Sequence, residues 1–363
     1  MPVLDPATLW TGRGLGARVT RAVLAPLGWG FAAGVAVKNR LYDAGVVAPR
    51  PTAVPAVSVG NLSVGGTGKT PVAADLARRL LREGARPGIV LRGYGEDEPA
   101  VHAILNPDVP VIVNADRVAG SVEAHRLGCD VVVLDDAFQH RRAARVADIV
   151  LVASEQWAGT RRPLPAGPYR ESVASLARAS LVLVTRKSAP EQEAARCAES
   201  IARDVPVPVV RAALTLGDLV RVSAEAPFEG TGPLATARAG DPDRRSLEAL
   251  RGTRVLAVAG IGAPQAFAAQ LEAAGASVEL VSFPDHHRFG EDDVRLLVRR
   301  ATRHQFVVCT LKDAVKLARQ WPRDGSPLWY VSQRLRLEAG EEAYAACVRL
   351  VLDARATPQL PHA

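Results

Sequence analysis

Ser63-Val64-Gly65-Gly66-Thr67-Gly68-Lys69-Thr70 combines a glycine-rich turn with an amine and a hydroxyl. That combination suits phosphate. Glycine lets backbone N–H groups converge where a Cβ would block the approach. A lysine closing such a turn reaches the β- and γ-phosphates of a nucleotide, and the threonine hydroxyl can hold Mg²⁺. The turn should end a strand and open a helix, because a helix N-terminus adds unpaired donors and a positive dipole end. Residues 54–59 read as the short buried strand, and residues 71–83, with Val72, Leu76, Leu80 and Leu81 at helical spacing, as the helix. The context is that of a P-loop, with Ser63 standing where the usual pattern has Gly.

Other residues have chemistry to offer. Val131-Val132-Val133-Leu134 runs into Asp135-Asp136-Ala137-Phe138-Gln139-His140, an apolar strand whose terminal carboxylate would face a Mg²⁺ shell. His140 reads equally well as a loop histidine with its hydrogen bonds satisfied. A proline-rich loop ends in Arg170, a candidate phosphate ligand, and Glu171, a candidate metal or ion-pair partner. Glu96-Asp97-Glu98-Pro99 is an acidic cluster on the loop after a strand at 88–91. In a parallel sheet the C-terminal strand ends face the ligand crevice, so this cluster is a second candidate. Asp285-His286-His287 follows a strand at 277–283. Metal binding is conceivable there, although no third ligand lies at metal-site spacing. Gly260-Ile261-Gly262 lacks the third glycine of a dinucleotide turn.

The elements that must position these groups alternate strand and helix. That pattern predicts an α/β fold, a mostly parallel P-loop NTPase-like sheet followed by a second, smaller α/β domain. Asp116 is placed to cap a helix over 117–127. The expected divisions are 1–50, an N-terminal helical segment; 51–223, the P-loop domain; 224–250, a linker or surface loop; and 251–363, the smaller domain with a closing helix. Residues 22–37 carry no charge but are broken by Pro26, Gly28, Gly30 and Gly34, and fall short of the roughly 20 residues that cross a bilayer. Arg13, Arg18, Arg21, Lys38, Arg40 and Arg50 surround them, with Trp10, Trp29 and Phe31 nearby. Two readings stand: an amphipathic helix lying in a membrane surface, or a buried helix packed on the next domain. The 363 residues carry a net charge of +7, which points to acidic partners such as phosphorylated or lipid substrates. Aromatics are only 5% and no aromatic-interleaved basic stripe occurs, which argues against nucleic acid. Cys129, Cys197, Cys309 and Cys347 form no CxxC pair, so they read as core residues in a reducing compartment.

Together the motifs resemble one family, the tetraacyldisaccharide 4′-kinases, which are the lipid A 4′-kinases of Gram-negative bacteria. The resemblance rests on Gly60-Asn61-Leu62 leading into the glycine-rich turn and Pro71 after it, on Arg92-Gly93-Tyr94-Gly95, on Asp97-Glu98-Pro99 and on the Asp135 to His140 run. It continues through Leu164-Pro165-Ala166-Gly167-Pro168-Tyr169-Arg170-Glu171, Phe283-Pro284-Asp285-His286-His287 and Thr310-Leu311-Lys312-Asp313-Ala314-Val315-Lys316. It implies ATP-dependent phosphorylation of the 4′-hydroxyl of a tetraacyldisaccharide 1-phosphate to give lipid IVA. It also implies Mg²⁺, a peripheral site on the cytoplasmic face of the inner membrane, and two α/β domains closing over ATP; the chain is expected to act as a monomer.

By position, Asp97 resembles the family's catalytic acidic residue and His286 its partner across the cleft. Thr70, Asp135, Asp136 and Glu171 resemble the metal-side ligands, with the choice between Asp135 and Asp136 open. Asn114, Arg117, Gln139, His140 and Arg170 fall near substrate or phosphate contacts, and Ser63, Val64, Gly65, Gly66, Thr67, Gly68, Lys69 and Thr70 form the ATP-binding loop. The loop between Tyr94 and Asp97 is shorter than is typical, and Leu91, Ala137 and Leu311 stand where Ser, Gly and Glu are usual. A P-loop switch ATPase at the membrane is the alternative; its deviant loop needs a lysine near the loop start, and Ser63-Val64-Gly65-Gly66 offers none. A nucleotide-binding regulatory module is a further alternative.

Overall fold

The computed structural model describes residues 9–10, 12, 14–93, 95, 97–157, 159, 161–222 and 243–356. Arg13, Tyr94, Glu96 and most of the expected 224–250 linker lie outside the described residues. The chain folds into two compact units. The first comprises Met1–Arg92, Ile112–Ala213 and Leu337–Ala363, the second Gly93–Val111 and Leu214–Arg336. Two segments depart from the sequence-order division: Gly93–Val111 joins the second unit, and the closing helix joins the first.

The first unit holds strands β1 (Ala56–Asn61), β2 (Pro87–Leu91), β3 (Val111–Val113), β4 (Val131–Asp135), β5 (Ala147–Ala153) and β6 (Leu181–Arg186). It also holds the first part of β7 (Val209–Arg221). Their order is β7-β6-β5-β1-β4-β2-β3. The β1–β4, β1–β5, β2–β4, β5–β6 and β6–β7 pairs are parallel. β1 and β4 are buried at every position, as expected of strands covered on both faces.

Helix α1 (Leu15–Asp43) precedes the sheet. Helix α2 (Lys69–Arg82) buries Val72, Leu76, Ala77 and Leu80. After it come α3 (Asp97–Leu105), which belongs to the second unit, α4 (Arg117–Arg126), the short α5 (Ser154–Trp157) and α6 (Glu191–Asp204). Asp116 caps α4 as expected, accepting from Val118 N at 3.0 Å. All four cysteines are free and buried, and burial pushes the Cys197 thiol up to about 12.

The second unit carries β8 (Arg244–Arg245), β9 (Arg254–Ala259), β10 (Ser277–Ser282), β11 (Phe306–Thr310) and most of β12 (Leu328–Ala339). The order β10-β9-β11-β12 is parallel throughout. Along β9 side chains alternate: Leu256 and Val258 share a core with Val294 and Leu297 of α8 (Glu291–Ala301), while Val255 and Ala257 share one with Phe267 and Leu271 of α7 (Pro264–Ala273). Helix α9 (Leu311–Leu317) follows β11 directly. The closing helix α10 (Glu341–Ala356) buries Tyr344, Cys347 and Val351 in the first unit, with the Arg79 guanidinium of α2 5.1 Å from the Tyr344 ring centroid.

The acidic cluster expected on a loop instead opens a helix: Asp97 and Glu98 occupy the first turn of α3, where the helix dipole favours carboxylates. Helix α1 runs for 29 residues, well past the uncharged stretch. It is long and apolar enough, by length and composition alone, to cross a membrane. Only Gly28 and Asn39 are buried along it, so most of the helix is not a buried one, while its C-terminal end packs on the first unit.

Candidate active site

In the first unit the phosphate loop joins the end of β1 to the start of α2. Gly65 (φ 121°) and Gly68 (φ 95°) hold conformations that a side chain would strain. Polar side chains brace the loop from several sides. Asn61 Nδ2 donates to Ser63 O and to Thr67 Oγ1, and Thr185 Oγ1 on β6 donates to Thr67 O at 2.9 Å. Ser63 Oγ donates to Gln156 Oε1 on α5 at 2.9 Å; the residue that replaces the usual glycine thus ties the loop down. Val64 N donates to Pro168 O (2.8 Å), and Arg170 N to Leu62 O (2.7 Å). Lys187 Nζ, from the segment after β6, donates to Gly66 O at 2.6 Å.

Around the loop the charges alternate. Lys69 Nζ lies 3.8 Å from Asp136 Oδ1, and Arg170 Nη1 is 2.7 Å from the same oxygen. Asp136 sits at φ 50° just beyond β4, an uncommon backbone conformation for a residue other than glycine. Asp135 ends β4, is 5% exposed and lies in register with Val59 of β1. Buried Arg117 donates to Asn114 O (2.8 Å) and Asp135 O (2.9 Å), tying the chain after β3 to the end of β4. Both bonds brace the β4 end. The Asn114 side chain accepts from Asp116 N.

Gln139 Nε2 donates to Asn61 O at 2.9 Å, and Gln139 O accepts from Lys38 Nζ at 3.0 Å. Burial, and after it Arg117, holds the His140 imidazole below its usual value. Glu171 is buried, with Oε2 accepting from Arg178 Nη2 (2.8 Å) and Asn39 Nδ2 (3.1 Å). Asp135, Asp136 and Glu171 therefore do not converge: among the described residues no group of three or more such side chains could hold a metal ion. Thr70 at the start of α2 and the Asp135 carboxylate remain as hard oxygen donors, a set that suits Mg²⁺.

The second unit brings together residues far apart in sequence. Asp97 starts α3 and is 4% exposed. Its Oδ1 lies 4.0 Å from His286 Nδ1, and its Oδ2 lies 3.6 Å from Lys316 Nζ on α9. Asp97 and His286 were expected on opposite sides of a cleft; they belong to one unit, because Gly93–Val111 leaves the first unit after β2. His286 adopts φ 60°, and its half-exposed ring also lies 4.0 Å from Asp285 Oδ1. His287 turns elsewhere, bonding Asp293 Oδ2 at 2.8 Å and stacking on Phe283 at 4.7 Å. The Asp-His-His run therefore splits, His286 facing Asp97 and His287 facing Asp293.

Lys316 had no expected role. The signal was present, since Lys312 and Lys316 are four residues apart and so share a helix face; Lys312 Nζ lies 3.8 Å from Glu98 Oε1. Asp313, between them, accepts from Thr310 Oγ1 (2.6 Å) and Gly260 N (3.1 Å), and burial raises its carboxyl above the usual range.

Helix α1 exposes Leu15, Val19, Val23 and Leu27 at four-residue intervals, with Trp29 also exposed. Its C-terminal end is pinned to the first unit. Besides the Lys38 and Asn39 bonds, Arg141 donates to Asn39 O (3.0 Å) and pairs with Asp43 (2.7 Å). Burial pulls the Lys38 amine below its ordinary value, with Glu171 opposing the shift.

Residues 20–352 match the profile of the family described as tetraacyldisaccharide-1-P 4′-kinase. The chain is 37% identical over 314 residues to the tetraacyldisaccharide 4′-kinase of Anaeromyxobacter dehalogenans (strain 2CP-C), covering 79% of each chain. It is 36% identical over 357 residues to that of Halorhodospira halophila, covering 93% of this chain and 94% of the relative. Among solved structures it resembles LpxK from Aquifex aeolicus in complex with ATP, with a TM-score of 0.67 and 26% identity over 92% of this chain and 99% of that one.

Proposed function

Because the chain belongs to the tetraacyldisaccharide-1-P 4′-kinase family and is a kinase acting on that lipid A precursor, we propose that Asp97 is the base that accepts the proton of the 4′-hydroxyl. A sugar hydroxyl does not ionise unaided near neutral pH, so transfer needs a positioned acceptor. The observation that carries this reading is the setting of Asp97: buried, at a helix start, and flanked by His286 and Lys316. His286 orients the carboxylate, and Lys316 balances its charge.

ATP is the phosphoryl donor. The loop amides and Lys69 hold its triphosphate, and Arg170 and Asp136 fix the position of the Lys69 ammonium. Thr70 and Asp135 are the residues that would hold Mg²⁺, which when bound neutralises charge on the β- and γ-phosphates. Gln139 and His140 border the β4 end, where His140, kept neutral by burial, offers a hydrogen bond without a charge. The Glu171 carboxylate serves to anchor α1.

The apolar stripe of α1 seats the chain peripherally on the cytoplasmic face of the inner membrane, where ATP is available and the acylated acceptor resides. It works there as a monomer. The test is ADP release measured with and without tetraacyldisaccharide 1-phosphate. Release that depends on the lipid is expected; release indifferent to it favours a switch ATPase and overturns the reading.

A further inference from the structure

The phosphate loop carries a second lysine. Lys187 follows β6 directly and places Nζ 2.6 Å from Gly66 O. Its backbone is held as firmly as its side chain: Glu155 Oε1 accepts from the N–H groups of Lys187, Ser188 and Ala189. The neighbouring Gln156 accepts from Ser63 Oγ. Helix α5 therefore fixes both the start of the phosphate loop and the segment whose lysine crosses it.

Strand order gives this lysine a direction. In the first unit the order runs β6-β5-β1-β4. Lys69 pairs with Asp136 at the β4 side of the loop, and in a P-loop that lysine and the strand-end carboxylate mark the β- and γ-phosphates. A triphosphate with its terminal phosphate on the β4 side must extend its nucleoside toward β5 and β6, along the C-terminal strand ends. Lys187 places a cation on that side of the loop. A lysine stem offers an apolar surface to a base, and its ammonium a donor to ribose oxygens.

We propose that Lys187 is a further nucleotide-binding residue of this kinase, holding the nucleoside end of ATP while bracing Gly66, and that Glu155 positions it. The proposal rests on the reading that ATP occupies this loop.

Binding of ATP and of inorganic tripolyphosphate to the full chain, measured calorimetrically without lipid, tests it. Lys187→Met should weaken ATP about tenfold, the scale of one hydrogen bond to a charged group, and weaken tripolyphosphate clearly less, since only the brace on Gly66 is lost to it. Lys187→Arg should recover most of the loss. Glu155→Gln should raise the KM for ATP with little change in kcat, and its thermal midpoint should stay close to that of the parent. Unchanged ATP affinity in Lys187→Met overturns the proposal. Equal losses for ATP and tripolyphosphate also overturn it, because the lysine then acts only on the shape of the loop. Failure of the unaltered chain to bind ATP is a separate result, and it overturns the ATP reading itself along with this proposal.

Discussion

The phosphate loop and the Asp97 cluster are built in opposite ways. The loop is a contiguous run between β1 and α2, and what it offers a ligand is mostly backbone. The side chains of Asn61, Thr185 and Gln156, the last through Ser63 of the loop, serve to hold that backbone still. The Asp97 cluster has no contiguous core. Its carboxylate comes from the start of α3, its imidazole from the loop after β10, and its amine from α9. Phosphate binding needs converging amides, which a short glycine-rich turn can supply by itself. Proton transfer needs one side chain in a chosen electrostatic setting, and only tertiary structure provides that.

The largest expected effect would break the comparison if it fell on the wrong step. Asp97→Asn keeps the shape of the side chain and removes its capacity as a base, so kcat should fall by about 10²–10⁴-fold while ATP affinity holds. Single-turnover phosphorylation beside equilibrium ATP binding separates the two. Lost ATP affinity would mean that Asp97 serves binding as well as proton transfer. Lys69→Ala should do the reverse in kind. It removes a charge from the loop and leaves Asp136 with Arg170, so ATP affinity and kcat should both fall, kcat by about 10²–10³-fold.

The same contrast explains what could be read without coordinates. Ser63 to Thr70 announced a strand, a turn and a helix because glycine spacing and apolar periodicity are local. The capping of α4 by Asp116 was legible for the same reason. Chain segments that swap units were not legible: Gly93–Val111 follows a first-unit strand in sequence but belongs to the second unit. The β7 strand was missed too, since its burial alternates irregularly and no turn residue breaks it before the second unit begins. Resemblance supplied Asp97 and His286 as a pair, yet it gave Lys316 no role, although Lys316 lies nearer to Asp97 than His286 does. Glu171 illustrates the converse. A carboxylate beside an arginine in sequence suggested a metal ligand or an ion-pair partner, and only the fold supplies that partner, Arg178, with Asn39 on the same oxygen.

Lys316 offers a sharper cut. If its charge supports the transfer step, Lys316→Met should lower kcat about tenfold, the scale of one charged contact, with the KM for ATP unchanged, and Lys316→Arg should recover part of the rate. A change confined to the KM for ATP would move Lys316 out of the Asp97 group.

The smallest effect concerns stability, and it distinguishes the two regions by pH. Asp313 braces the second unit by accepting from Thr310 and Gly260. Burial raises its folded-state carboxyl above the ordinary value of 3.8, so the folded chain holds this proton more tightly than the unfolded chain does. Its contribution is full below the unfolded value and is lost as pH rises through the folded one. Asp313→Asn keeps an acceptor for both bonds and removes the titration. Relative to the parent, the variant's thermal midpoint should therefore improve as pH rises from acid to neutral. Thr185→Val is the counterpart in the phosphate loop. It removes a neutral brace on Thr67 O and should cost about 1 kcal/mol with no dependence on pH. A flat profile for Asp313→Asn would mean that its carboxylate is as well solvated in the fold as in the open chain.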